Sequence, residues 1–199
     1  MALIIGEYIV IEAFIMIYII GTRHPFQVWT EAIRDGDSFI PRKEHVEAFE
    51  TYVTDVARSL KADMIAEEAS VDWVADQGHG ATSVAEGTTK RLGIEHLFCN
   101  PTKSQHTALG LKFGNEMIAH AMAISRRTGR EFPDVHEEEV RKQIPVREAF
   151  WRECLESQEP NNKSIIFVCG ADHVDSFKAE LGAKGILACI QCREWTPAA

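Results

Sequence analysis

The sequence predicts an α/β fold: a single three-layer domain with a largely parallel central sheet and helices on both faces. Three observations predict it. Five short apolar runs are spread along the chain, four of them ended by a glycine, an acidic pair or Asn-Pro. Between them lie stretches whose apolar residues recur at three- and four-residue steps. Two of the runs close in the same way, with Gly-x-x-His. A continuous apolar run of this length reads as a strand buried on both faces. Strands that alternate with amphipathic helices build parallel sheets covered on both sides.

The elements follow in order. Residues 15–20 read as the first strand, and residues 25–40, with Pro25 and Gly36, as a long loop or lid. Val46, Phe49, Val53, Val56 and Leu60 mark one face of a helix. Asp63–Ala66 is a second strand running into Glu67-Glu68. Residues 70–82, with Gly78 and Gly80, read as a flexible loop. Val84–Leu92 is a short helix stopped by Gly93, a common C-terminal signal. Ile94–Cys99 is a third strand. Residues 108–128 read as a helix with Leu109, Phe113, Met117, Ala121 and Ile124 on its apolar face. Arg126–Pro133 is a polar connection. Residues 135–158 read as helix with a break or restart at Pro145, so that Arg147 falls in a first helical turn. Residues 164–169 form a fourth strand, 174–182 a helix, and 186–190 a fifth strand after Gly185.

The first 20 residues are the most hydrophobic part of the chain. Glu7 and Glu12 interrupt them, and each carboxylate is costly at a bilayer centre. No Lys or Arg precedes the segment, so the cationic start of a signal peptide is missing. Residues 1–15 are therefore expected to be an apolar extension of a domain spanning 16–199, and a membrane role is not expected. As a contact surface, the segment would serve a homo-oligomer or another protein partner, which is the non-catalytic reading of this chain.

Twenty-one basic and 30 acidic residues give a net charge of −9, which disfavours a nucleic-acid-binding face. The 199 residues suffice for one sizeable core. Five cysteines cannot all pair, which favours reduced thiols and a cytoplasmic location. Cys99 and Cys169 fall within or at the end of strands, where cysteine acts as a small hydrophobe. Cys189-Ile-Gln-Cys192 has no second pair to complete a zinc site, and reads as two buried small side chains.

Ligands of open α/β sheets bind beyond the carboxyl ends of the strands. The predicted strands deliver polar residues to four such ends: Thr22, Arg23 and His24; Glu67 and Glu68; Cys99 and Asn100; Asp172 and His173. Arg147 can reach the same rim. Two histidines and a carboxylate suit a divalent metal, with His24, Glu67 and His173 as ligands. They also suit metal-free acid–base chemistry on water, with Arg147 stabilising an oxyanion. Neighbours on an extended strand point to opposite faces. One of Glu67 and Glu68 therefore faces the site, and Glu67 is the expected one.

The order Gly21-Thr-Arg-His24, Glu67-Glu68 at a strand end, Arg147-Glu148 on a helix and Gly170-Ala-Asp-His173 resembles one known superfamily. It groups the erythromycin esterases, the haem-associated ChaN lipoproteins, the pheromone-shutdown protein TraB and the Tiki proteases. The resemblance covers motif order and spacing over residues 16–190, not overall sequence. The positions it matches are Gly21, His24, Glu67, Glu68, Arg147, Gly170 and His173. It implies an α/β fold with the site at the strand ends. Some of these relatives are metal-dependent peptidases, some hydrolyse a macrolide lactone, and others are linked to haem. The expectation is a hydrolase of ester or amide bonds in a small molecule or peptide, with catalytic His24, Glu67, Glu68, Arg147 and His173. Haem or small-molecule binding by the same histidines is the alternative.

Overall fold

The structure is a computed structural model and describes residues 3–5, 8–10, 15–29, 43–158 and 164–197. A short antiparallel hairpin, β1 (Leu3–Ile5) and β2 (Tyr8–Val10), comes first. Next is β3 (Met16–Thr22), then a 3-10 turn at His24–Gln27, β4 (Val28–Trp29) and helix α1 (Lys43–Leu60). Strand β5 (Met64–Glu67) leads to α2 (Val71–Asp76), whose first turn is capped by the Ser70 hydroxyl, which accepts from the Trp73 N–H at 3.2 Å. After β6 (Thr82–Ser83), Ser83 caps α3 (Val84–Leu92). Then come β7 (Glu95–Phe98), α4 (Lys103–Ala108), α5 (Gly114–Thr128) and the long α6 (Phe132–Glu156). Strand β8 (Ser164–Gly170), a 3-10 turn at Ala171–His173, α7 (Val174–Ala183) and β9 (Leu187–Trp195) complete the described chain.

Five of these strands form one parallel sheet in the order β7-β5-β8-β3-β9, and β4 and β6 pair antiparallel beside it. Side chains alternate across the sheet. Ile17, Ile19, Met64, Ala66, Ile165 and Phe167 face a core with Trp151 and Leu155 of α6 and Phe177 and Leu181 of α7. Ile20, Ile65, Ile166 and Val168 face the other core, with Val46, Phe49 and Val53 of α1 and Val84 and Ala85 of α3. Burial on both faces is why the central strands read as unbroken apolar runs. The predicted three-layer α/β domain is the fold observed. Among the described residues, no helix is long and apolar enough to cross a membrane.

Several elements differ from their predicted form. Of the helix expected over 108–128, only α5 from Gly114 is observed: α4 ends at Ala108, and residues 109–113 connect the two, with Gly110 and Gly114 at φ of 69° and 45°. Leu109 and Phe113 therefore sit outside the second helix and are exposed, while Met117 and Ala121 are buried as expected. No break occurs at Pro145: α6 runs through it from Phe132 to Glu156, with a proline at its start. Pro145 has no N–H to donate, but both ends of the helix are held by packing, Val135 and Leu155 being buried. Residues 70–82 carry α2 and β6 rather than a featureless loop. The fifth strand continues to Trp195, pairing with β3 as far as Thr22; on this edge strand Cys189 is exposed and Cys192 half-buried, not buried as expected. Of the expected lid, residues 25–29 form the turn and β4; residues 30–40 lie outside the described residues. So does most of segment 1–15.

Candidate active site

The candidate site forms where three parallel strands end. Its centre is Glu68, the first residue beyond β5. Its N–H donates to the Val168 carbonyl at 2.8 Å, which extends the ladder with β8 by one step. The side chain is fully buried, and Oε2 accepts from the Gly170 N–H at 2.7 Å. Its other oxygen, Oε1, receives Nη2 of Arg147. Nε2 of His173 lies 3.6 Å from that oxygen and Nε2 of His24 lies 3.9 Å from it. Both distances exceed a direct hydrogen bond and lie within ion-pair reach.

Each partner arrives by a different route. His24 opens the 3-10 turn after β3, with Pro25 in its first turn. Its side chain is 51% exposed, and its ring stands edge-on to Trp73 of α2 at 6.2 Å. His173 closes the turn after β8, is buried, and lies edge-on to Trp151 at 4.9 Å. Arg147 reaches in from mid-helix in α6, not from a first turn. Its guanidinium stacks over Trp151 at 5.2 Å and Phe113 at 5.7 Å, contacts worth about 0.5–2 kcal/mol each. Asn100, just beyond β7, accepts from Arg147 at 3.4 Å and from the Trp151 indole N–H at 3.3 Å. Gly170 sits close under the site: a Cβ there would lie 3.2 Å from His24 Nε2 and 3.3 Å from Glu68 Oε2, so both side chains would have to give by a few tenths of an ångström. Asp172 is exposed in the same turn.

The electrostatics follow from burial and charge. Burial alone pushes the Glu68 carboxyl up. His24, Arg147 and His173, with the Gly170 N–H, outweigh it and hold the group below its ordinary value. Glu68 is thus ionised at neutral pH. His106 of α4 packs face-near against Phe113, with ring centres 3.7 Å apart; burial first and then Arg147 push its pKa down.

Glu67 is not in this cluster, which corrects the expected orientation. It is the last residue of β5 and points to the opposite face. There Oε1 accepts from the Ser83 hydroxyl at 2.5 Å and lies 2.7 Å from Nε2 of His96. Its Oε2 has no hydrogen-bond partner among the described residues. Burial raises the pKa of this carboxyl, against the opposing pull of His96 and Ser83. The alternation of the strand is the physical reason: Ala66 and Glu68 face α6, while Ile65 and Glu67 face α3.

The expected metal set of His24, Glu67 and His173 therefore does not assemble. With Glu68 substituted for Glu67, the carboxylate oxygen that faces the two rings is already held by a guanidinium cation. Among the described residues, no group of three His, Cys, Asp or Glu is arranged to hold a metal ion. Cys99, buried at the end of β7, has a thiol pushed well up by burial and is a poor nucleophile.

Three residues at the site went unpredicted. Oε1 of Glu148 lies 2.9 Å from Nδ1 of His173 and accepts from the Ser176 hydroxyl at 2.6 Å. Trp73 flanks His24. For Glu148 the sequence held one signal, its adjacency to Arg147: neighbours on a helix point about 100° apart, so one reaches Glu68 while the other reaches His173. Ser176 falls one helical step after His173. Trp73 had none, because α2 was read as loop. Comparison of the chain with protein-family models, with curated proteins and with solved structures finds no match.

Proposed function

We propose that the protein is a hydrolase of ester or amide bonds that activates water without a metal. The observation that carries this reading is the convergence of Arg147, His173 and His24 on one oxygen of the ionised Glu68, with His24 open to solvent. A buried carboxylate at a strand end, surrounded by two imidazoles and a guanidinium, is an arrangement for holding and moving protons.

In this reading Nε2 of His24 takes a proton from a water that attacks the substrate carbonyl carbon. The carbonyl electrons move to oxygen, and Arg147 stabilises that oxyanion. The C–O or C–N bond then breaks, and the leaving group takes the proton back from His24. Glu68 keeps the guanidinium and both rings in place and stays ionised throughout. Trp73 and Phe113 supply apolar walls on either side.

Purified protein is assayed against p-nitrophenyl esters, aryl amides and lactones. His24→Ala is expected to lower turnover of whichever probe is cleaved by about a hundredfold to ten-thousandfold, with an unchanged circular dichroism spectrum. Retention of wild-type rates in His24→Ala, or no turnover on the whole panel, refutes the proposal. Haem binding is the rival outcome: a Soret band that saturates on haem addition and disappears in His173→Ala would replace it.

A further inference from the structure

We propose that Glu148 is a positioning residue that fixes the ring of His173 with Nδ1 protonated and Nε2 turned toward Glu68. Three observations carry this. The Glu148 residue is 3% exposed, and its Oε1 lies 2.9 Å from Nδ1 of His173. The same oxygen accepts the Ser176 hydroxyl at 2.6 Å, and Ser176 stands on the first turn of α7, three residues beyond the histidine. The opposite ring nitrogen faces Glu68 at 3.6 Å.

The chemistry of the donor set then assigns the proton. An ionised carboxylate only accepts, so a hydrogen bond between it and an imidazole nitrogen requires the proton on that nitrogen. Nδ1–H is therefore the donor, and the ring is held with Nε2 turned to the side that faces Glu68. A hydrogen bond on one ring nitrogen sets the state and orientation of the other. The Ser176 hydroxyl pins the carboxylate in turn, so the ring is fixed through two elements, α6 and α7. Glu148 touches neither the proposed water nor the guanidinium. It acts through His173.

The role assigned to Glu148 rests on the hydrolase reading, whereas the proton position does not, and the test separates them. Full-length protein carrying 15N-labelled histidine is examined by long-range 1H–15N correlation at neutral pH, with the His173 signals assigned by their loss in His173→Gln. The expected result is a proton on Nδ1. Glu148→Leu removes the acceptor, and that proton is expected to be no longer confined to Nδ1. Glu148→Gln keeps an acceptor oxygen in the same place and is expected to retain the native pattern, so loss of folding in the leucine variant does not leave the idea unexamined. On a cleaved ester probe, Glu148→Leu is expected to lower kcat by about tenfold to a hundredfold, as for partners that orient a functional histidine, with little change in KM, and Glu148→Gln is expected to restore most of it. A native His173 with no proton on Nδ1, or a glutamine variant that loses the pattern while folded, overturns the proposal. The expected nitrogen pattern in a protein that cleaves no probe would instead count against the hydrolase and leave the ring geometry standing.

Discussion

Glu68→Gln is expected to destabilise the protein by about 3 kcal/mol at neutral pH, while Glu67→Gln, one residue earlier, is expected to cost nothing or to stabilise it. The two carboxylates are both buried but are opposite cases. Glu68 is ionised and compensated: Arg147, the Gly170 N–H and two histidines surround it. An amide there leaves the Arg147 guanidinium, whose side chain is only 16% exposed, without its anion. Breaking such a pair costs about 3–5 kcal/mol, and the partial exposure of Arg147 places this one at the low end. For a chain of this size the melting temperature is expected to fall by roughly 6–12 °C.

Glu67 has no cation of fixed charge beside it. Its folded pKa is raised above 4.5, so its stabilising contribution is complete below 4.5 and is lost as pH rises through the folded value. At neutral pH its ionised form is a burden that glutamine removes, while the glutamine oxygen still accepts from Ser83. For Glu68 the folded pKa is lowered, so its contribution is present above 4.5 and is lost as pH falls through the folded value. Urea denaturation of both variants and the parent from about pH 2 to pH 8 checks this. Glu68→Gln should flatten the acid side of the stability profile, and Glu67→Gln the side approaching neutrality. Equal losses from both variants would show that the assignment of the two faces is wrong.

That pair also marks the boundary of what the sequence made legible. The three central strands β3, β5 and β8 were readable because each is buried on both faces and so carries an apolar run that no loop would tolerate; the edge strands β7 and β9, only partly buried, were read over 94–99 and 186–190, and the end of β9 was missed. Both histidines were readable as strand-end residues because they follow β3 and β8. Which of two adjacent glutamates faces them was not, since it depends on where β5 stops, and one residue of register exchanges the faces. Pro145 and Gly110 misled in opposite directions. A proline signals a break, yet α6 continues because Val135 on one side and Trp151 and Leu155 on the other are anchored in packing. An isolated glycine in an amphipathic run is tolerated in many helices, yet Gly110 and Gly114 take left-handed φ and end one helix before the next begins. The contacts of Glu148 with His173 and Ser176 were not legible beyond the adjacency of Glu148 to Arg147, because the partners come from different elements and no spacing within one segment encodes a contact between two.

Gly21 is the position where a single added carbon is expected to do the most damage. The sequence places this glycine just beyond the first strand, at the end of its apolar run. Instead it lies inside β3 and is required by space: an added Cβ would sit 2.0 Å from the carbonyl oxygen of Arg193 and 2.4 Å from Cγ2 of Val174. The pairing of β3 with β9 slips at this point, with Ile19 opposite Ile190 but Ile20 opposite Cys192 and Thr22 opposite Trp195. The irregularity brings the β9 backbone over Gly21, a recognised use of glycine within a strand. The first obstacle is backbone, so no rotamer change relieves it, and β9 must move away from β3. The expected cost of Gly21→Ala is at least about 3 kcal/mol, the top of the usual range for overpacking, or a melting temperature lower by roughly 6–12 °C. Activity is expected to fall further than stability, because Thr22 to His24 follow directly and the shift carries the His24 ring away from Glu68. Gly182→Ala in α7 is the control: nothing lies within 4 Å of its added carbon, and alanine in a helix is expected to stabilise by about 0.5–1 kcal/mol. Thermal unfolding of both variants beside the parent decides it. A Gly21→Ala protein that melts within 2 °C or so of the parent, a difference of under about 1 kcal/mol, would mean that β9 does not lie over Gly21.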